Sequence, residues 1–269
     1  MTWHATPKLD VVVGEQFIAV TREDWMFVED LLTTDYSATD TIFGTGVSSG
    51  VQLIHTGQRG RFYGAVSNGE DVRENGFAGN IAQGQWALTG RYERQLGTPD
   101  WSLWDDIIGR MGMRRGFLVG GGAGVIPGQG ATLKDAFYGT LDVSYRCDRW
   151  SALVYGAARQ GRGSNGRWWT NFAALAQVGW YATPILQLYG RYEAIDPGSQ
   201  PGNFRTWHSL TLGCAYRPFR WTNRAHLALE FGRLFTPIEQ TIVTPSRFIG
   251  FDAPTGEQEY LRLELMLGL

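Results

Sequence analysis

The chain closes on YLRLELMLGL, in which Leu261, Leu263, Leu265, Leu267 and Leu269 alternate with Tyr260, Arg262, Glu264 and Gly268. Successive side chains of an extended strand point to opposite faces, so this period of two describes a strand with one apolar and one polar face. The segment before it repeats the rule. In NRAHLALEF, Ala225, Leu227, Leu229 and Phe231 oppose Arg224, His226 and Glu230. In SLTLGCAYR, Leu210, Leu212, Cys214 and Tyr216 oppose Ser209, Thr211, Gly213 and Arg217. Three consecutive strands therefore share one apolar face.

The same reading, carried along the chain, predicts about twelve strands of roughly ten residues, a length suited to crossing a bilayer at a tilt. They lie at 8–18, 46–56, 60–68, 81–94, 113–124, 136–147, 149–160, 169–182, 184–195, 206–218, 222–234 and 257–268. Tight turns at 57–59, 147–149, 182–184 and 218–221 alternate with long connections at 19–45, 69–80, 160–168, 195–206 and 235–256. Short turns at one end and long loops at the other mark a transmembrane barrel. The long link 95–112 falls on the short-turn side and is the one irregularity in this scheme.

Composition agrees with strands. Glycine numbers 36, aromatic residues make up 13% and charged residues only 19%. No apolar run approaches the roughly 18 residues of a membrane helix, which excludes helical spanning but not a barrel. A soluble β-sandwich also alternates and is the alternative reading. The barrel is favoured because aromatics gather near strand ends, as a membrane interface requires: Trp86, Tyr92, Tyr145, Trp150, Trp180, Tyr192 and Tyr216. The fold class expected is an all-β, antiparallel transmembrane barrel, residues 1–269 forming a single domain.

A net charge of −2 and a pI near 6.1 leave no basic footprint for nucleic acid. The basic residues are almost all arginine, with Lys8 and Lys134 the two lysines. The opening MTWHATPKLDVVVGEQF carries no signal-peptide pattern. Cys147 falls at a turn and Cys214 in mid-strand, so a disulfide is not expected. FLVGGGAGVIPGQG lacks the G-K-[ST] ending of a phosphate loop and reads as a glycine-rich strand whose wall can bend. Four histidines, His4, His55, His208 and His226, are available for catalysis. His208 and Ser209 are adjacent and point to opposite faces, so the serine–histidine pair of a barrel phospholipase is missing and no enzyme activity is expected.

Several stretches resemble a known family, the phosphate-selective porins O and P, especially divergent members of planctomycete type. They are PKLDVVVGEQF, GVSSGVQLIHTGQRGRFYGAVSNGED, FYGTLDVSYRCDRWSALVYGAARQ, LQLYGRYEAID and EYLRLELMLGL. The resemblance lies in the order of strand patterns. It implies a larger barrel of about sixteen strands with a signal peptide, of which this chain lacks the N-terminal part. It further implies a homotrimer, an early loop folded into the lumen, and a location in the bacterial outer membrane in contact with its lipid.

Together these readings predict a porin for passive diffusion of small hydrophilic solutes or ions, without cofactor or metal. The expected pore-lining residues are Arg91, Glu93, Asp142, Arg146, Arg159, Arg191, Glu193, Arg217, Arg224, Glu230, Arg262 and Glu264, since rings of charge set ion preference. The constriction is expected in loop 19–45 with Glu23, Asp24, Glu29, Asp30, Asp35 and Asp40. The resemblance suggests anions such as phosphate, whereas so acidic a loop would repel them, and no ion preference is assigned. Two hexapeptides, LTGRYE at 88–93 and LYGRYE at 188–193, put Leu, Gly and Tyr on the lipid face and Arg and Glu on the inner face. They read as one local rule for a strand meeting the membrane boundary, not as a duplicated domain.

Overall fold

A computed structural model describes residues 1–68, 86–97, 99–127, 133–163, 166–200, 202–219, 225–242 and 256–267. Among the described residues, thirteen strands form one antiparallel sheet in sequence order. They are β1 Thr2–Thr6, β2 Leu9–Phe17, β3 Val47–Thr56, β4 Gly60–Ser67, β5 Ala87–Gly97, β6 Gly116–Pro127, β7 Leu133–Cys147, β8 Trp150–Gly163, β9 Trp168–Thr183, β10 Leu186–Asp196, β11 Trp207–Tyr216, β12 Ala225–Leu234 and β13 Gln258–Leu267. β1 and β13 are the two edges of the sheet.

The count exceeds the expected twelve because of β1. Its five residues TWHAT are too short and too mixed to show alternation, and Pro7 and Lys8 turn the chain into β2. The single strand expected at 8–18 is thus the second arm of a hairpin whose register runs from Thr2 opposite Val12 to Thr6 opposite Leu9.

Alternation converts into an inside and an outside along most of the sheet. On β7, Leu141 is 75% exposed while its neighbour Asp142 is 2% exposed. The outward set includes Leu53, Phe62, Leu88, Val119, Val154, Leu212, Leu229, Leu263 and Leu265. No second sheet covers this face among the described residues, which removes the β-sandwich alternative. In water such a continuous apolar belt would be unstable; against lipid it is the expected surface. No helix among the described residues is long and apolar enough to cross a membrane. The strands are what cross it.

The concave side holds the core. Residues between β2 and β3 turn inward and carry the short helix α1, Ala38–Phe43, whose N-cap Ser37 accepts a hydrogen bond from Asp40 N. Met26, Leu31, Leu32, Ala38 and Phe43 from this segment pack with Leu153, Tyr155, Leu175, Tyr189 and Trp207 of the wall.

β6 makes room for it. Gly120, Gly122 and Gly124 occupy alternate, inward positions of that strand and are buried. A Cβ at Gly122 would strike the backbone carbonyl of Val20, one at Gly120 would strike the Arg91 guanidinium, and one at Gly124 would lie 2.5 Å from the Tyr138 ring. The glycine-rich stretch is therefore a strand up to Pro127, as its sequence suggested, with a further purpose in admitting the inward segment; its last three residues lie outside the described ones.

Gly122→Val is expected to destabilise the fold by about 1–3 kcal/mol through overpacking. Gly139→Ala on β7, where a Cβ meets nothing nearer than 3.8 Å, is expected to stay within about 0.5 kcal/mol of wild type. Urea unfolding in detergent micelles measures both, and equal midpoints for the two variants would contradict the packing described.

Candidate functional site: the clamped interior

Segment 18–46 is closed on itself before it meets the wall. Asp24 accepts from Val20 N (3.0 Å) and Thr21 N (2.8 Å) through Oδ2, and from Thr45 N (3.1 Å) and Gly46 N (3.2 Å) through Oδ1. One carboxylate thus ties the start of the segment to its end. Gly46, at φ +57°, supplies the left-handed turn that aims its N–H at Asp24.

One side of the wall grips the segment through arginine. Arg91 on β5 makes a bidentate pair with Asp142 on β7, at 2.7 and 3.0 Å, contacts Glu93 at 2.9 Å, and donates to Val20 O at 3.1 Å. Glu93 also receives Arg22 of the segment at 3.1 Å, and Arg22 donates to Trp104 O. The Arg22, Arg91, Glu93 and Asp142 side chains are all shielded from solvent.

The opposite side repeats the grip. Arg191 on β10 donates to Thr33 Oγ1 (2.6 Å) and Asp35 O (3.0 Å), and lies 3.1 Å from Glu193. Glu193 accepts from Thr39 N (2.9 Å) and Thr39 Oγ1 (3.0 Å). Glu230 on β12 takes Thr34 N and Oγ1 at 3.1 and 3.0 Å, with Tyr189 and Tyr260 donating to the same carboxylate. Arg262 on β13 reaches Asp35 and Thr34.

A second inward segment meets the first. Within 99–115, Trp104, Ile107 and Ile108 are buried, and Ile107 N donates to Asp30 O at 2.8 Å. Arg146 pairs with Asp106 at 2.8 Å, Gln187 donates to Ile108 O at 2.9 Å and Tyr181 to Gly109 O at 3.1 Å. The long link that stood out as an irregularity in the sequence is the second part of the interior.

Of the charges expected along a pore, Arg91, Glu93, Asp142, Arg146, Arg191, Glu193, Arg217 and Glu230 are inward and buried. Arg159, Arg262 and Glu264 are inward and half-buried, and Arg224 lies outside the described residues. Of the loop acids, Glu23, Asp24 and Asp40 are buried, while Glu29, Asp30 and Asp35 are half-buried. Of the aromatics expected at the membrane interface, Trp86, Tyr92, Trp150, Tyr192 and Tyr216 are exposed, with Tyr145 and Trp180 half-buried. Trp150 and Trp180 sit side by side at 5.9 Å between ring centroids. Both cysteines are free. His208 shares a 2.7 Å hydrogen bond with Tyr192, and His226 lies 3.3 Å from Arg217. No group of three or more metal-ligating side chains occurs among the described residues.

Sequence reasoning did not single out Arg22 as a clamp, the hydroxyls of Thr33, Thr34, Ser37 and Thr39, or the phenols of Tyr155, Tyr189 and Tyr260. The run TTDYSATD offered a signal for the first group, since Ser and Thr before a short helix prefer to cap and bond locally. The phenols had none, because their partners are distant in sequence.

No protein-family model and no curated protein sequence matches the chain. The fold is similar to solved structures of OmpT, an outer membrane protein of Vibrio cholerae. The trimer form of in-vitro folded OmpT matches at a TM-score of 0.61 and 14% identity, over 96% of this chain and 78% of that one. Outer-membrane expressed OmpT matches at 0.59 and 12%, with the same coverage, and a loop L8 deletion mutant at 0.58 and 14%, over 86% and 71%. The fold is that of an outer-membrane β-barrel, and the bacterial outer membrane is where the lipid-facing belt belongs.

Two expectations are corrected. Passive diffusion through a charge-lined lumen is withdrawn: Arg91, Glu93, Arg146, Arg191, Glu193 and Glu230 are engaged in buried contacts with the protein's own inward segments, and the matched structures are of OmpT. The expectation of no enzyme activity goes with it. It rested on that passive role and on a missing serine–histidine pair, and neither stands beside a fold shared with OmpT.

Removing Arg91 alone strands Asp142 in the interior, so Arg91→Leu is expected to cost about 3–5 kcal/mol. Arg91→Leu combined with Asp142→Leu is expected to recover most of that loss, because no buried charge is left unpaired on β7. Denaturant titration of the three proteins measures this, and a double variant no more stable than the single one would show that charge pairing is not what holds this side.

Proposed function

We propose that the protein is an outer-membrane barrel wall that holds its own interior plug, and that its working state is the plugged one. The wall fixes the chain in lipid, and segments 18–46 and 99–115 close the interior behind β5–β13 to free solutes. The observation that carries this reading is the buried Arg22–Glu93–Arg91–Asp142 network joining plug to wall. A water-filled passage would leave those groups hydrated; here each is paired and dry. The backbone of the plug is held as firmly, Val20, Thr34 and Thr39 being bonded to Arg91, Glu230 and Glu193 on three different strands.

The proposal includes a homotrimer, supported by the outward apolar face and by the trimer form among the matched OmpT structures. Chemical cross-linking in detergent is expected to give a ladder ending at three chains, and a ladder ending at one or two would remove this part.

In planar bilayers, inserted wild-type protein is expected to show no steady open conductance. The triple variant Arg191→Ala, Glu193→Ala and Glu230→Ala, which cuts the second set of clamps, is expected to raise the conductance of inserted protein severalfold. A steady, ungated conductance from wild type at the outset would overturn the plugged reading.

A further inference from the structure

Glu23 and Asp40 lie inside the docked segment with more negative charge around them than positive. Both are buried, together with Asp24 and with Glu193 of β10. Arg191, the guanidinium facing this group from β10, already pairs with Glu193 at 3.1 Å, and Arg22 turns to Glu93 instead. From β8, Tyr155 shares a 3.0 Å hydrogen bond with Ser37, and Arg159 is directed to Ile42 O at 3.2 Å.

The hydrogen bonds separate the carboxyls into two kinds. Asp24 has four N–H donors, which offset part of the burial that pushes its carboxyl above the ordinary range. Glu23 receives Ser37 N and Ser37 Oγ on one oxygen only; its Oε1 is buried without a hydrogen-bond partner among the described residues. Asp40 receives the Thr21 hydroxyl on Oδ1. A buried carboxylate so thinly served is costly, and a protonated carboxyl is not.

We propose that Glu23 and Asp40 form a proton-held latch: segment 18–46 stays docked while these carboxyls carry protons and leaves the wall as rising pH removes them. Burial pushes both above the ordinary carboxyl range, and for Asp40 the neighbouring Asp24 and Glu23 push further. The docked state therefore keeps protons that the released state has already lost. Across the window from the ordinary value near 4 up to the raised one, docking weakens as pH rises, by roughly tenfold per pH unit for each proton concerned. Below that window both states are protonated and docking is at its strongest.

The latch rests on the plugged reading for its docked geometry, so its test reads docking directly and not conductance. Trp25 is partly buried in the segment, 6.0 Å from Tyr63 and beneath Arg22. Acrylamide quenching of wild type minus that of Trp25→Phe, at constant ionic strength from pH 5 to pH 9, isolates its exposure. Quenching is expected to rise severalfold with pH in wild type and to stay flat in Glu23→Gln with Asp40→Asn, which keep the acceptor oxygens and remove the titration. Glu15→Gln, an exposed carboxylate outside the cluster, is expected to keep the wild-type profile. A flat wild-type profile overturns the latch whether or not the variants fold, as does a pH response that survives the double substitution. A flat profile with a silent bilayer would sink the latch and leave the plug standing.

Discussion

The structure depends on Arg91 finding two carboxylates and a carbonyl in a place without water. Stripping a guanidinium of solvent costs several kcal/mol, and attraction offsets this only when its donors are filled in good geometry. Asp142 supplies a bidentate face, Glu93 a second anion and Val20 a backbone acceptor from the inward segment. That one residue therefore joins two neighbouring regions of the wall to the chain that fills it. Arg22 enters the same network from the plug side, so removing the plug would strand charge on the wall as well as expose apolar surface.

Strand identity and facing were legible in the sequence because they follow from local rules. Leu141 and Asp142, or Leu229 and Glu230, are sorted by alternation alone, and the structure sorts them the same way. What was not legible was what the polar face touches. Water and a packed polar segment both favour Arg, Glu and Thr on an inner wall, so the pattern could not separate a filled interior from an empty one. The distinction lies in pairs such as Thr34 with Glu230 and Thr39 with Glu193, about 196 and 154 positions apart, which no periodicity reports. β1 escaped for the opposite reason: a five-residue edge strand with both faces largely exposed has no pattern to read.

The two GRYE hexapeptides carry both levels. Tyr92 and Tyr192 face outward, where the sequence put them. Their arginine and glutamate partners do more than meet water at a boundary. Arg91 and Glu93 hold Val20 and Arg22, and Arg191 and Glu193 hold Thr33 and Thr39. The repeated motif is a pair of brackets set on opposite sides of one segment. The glycines of β6 complete the arrangement by leaving side-chain space empty where the bracketed backbone passes.

The position of that segment in the chain sets an order of events during folding. Residues 18–46 are synthesised before β3, yet their partners include Glu193, Glu230 and Arg262 near the other end. Contacts of such separation form slowly, since a long stretch must be ordered before they contribute. Hairpins with short turns, such as β3–β4, β7–β8 and β9–β10, can pair as soon as both of their strands are present. The interior must wait, uncovered and rich in carboxylates, until the last strands arrive. A segment that stays polar at Glu23, Asp24 and Asp40 can spend that interval in water without sticking to other chains, and settles against the inner face once the last strands have joined the sheet.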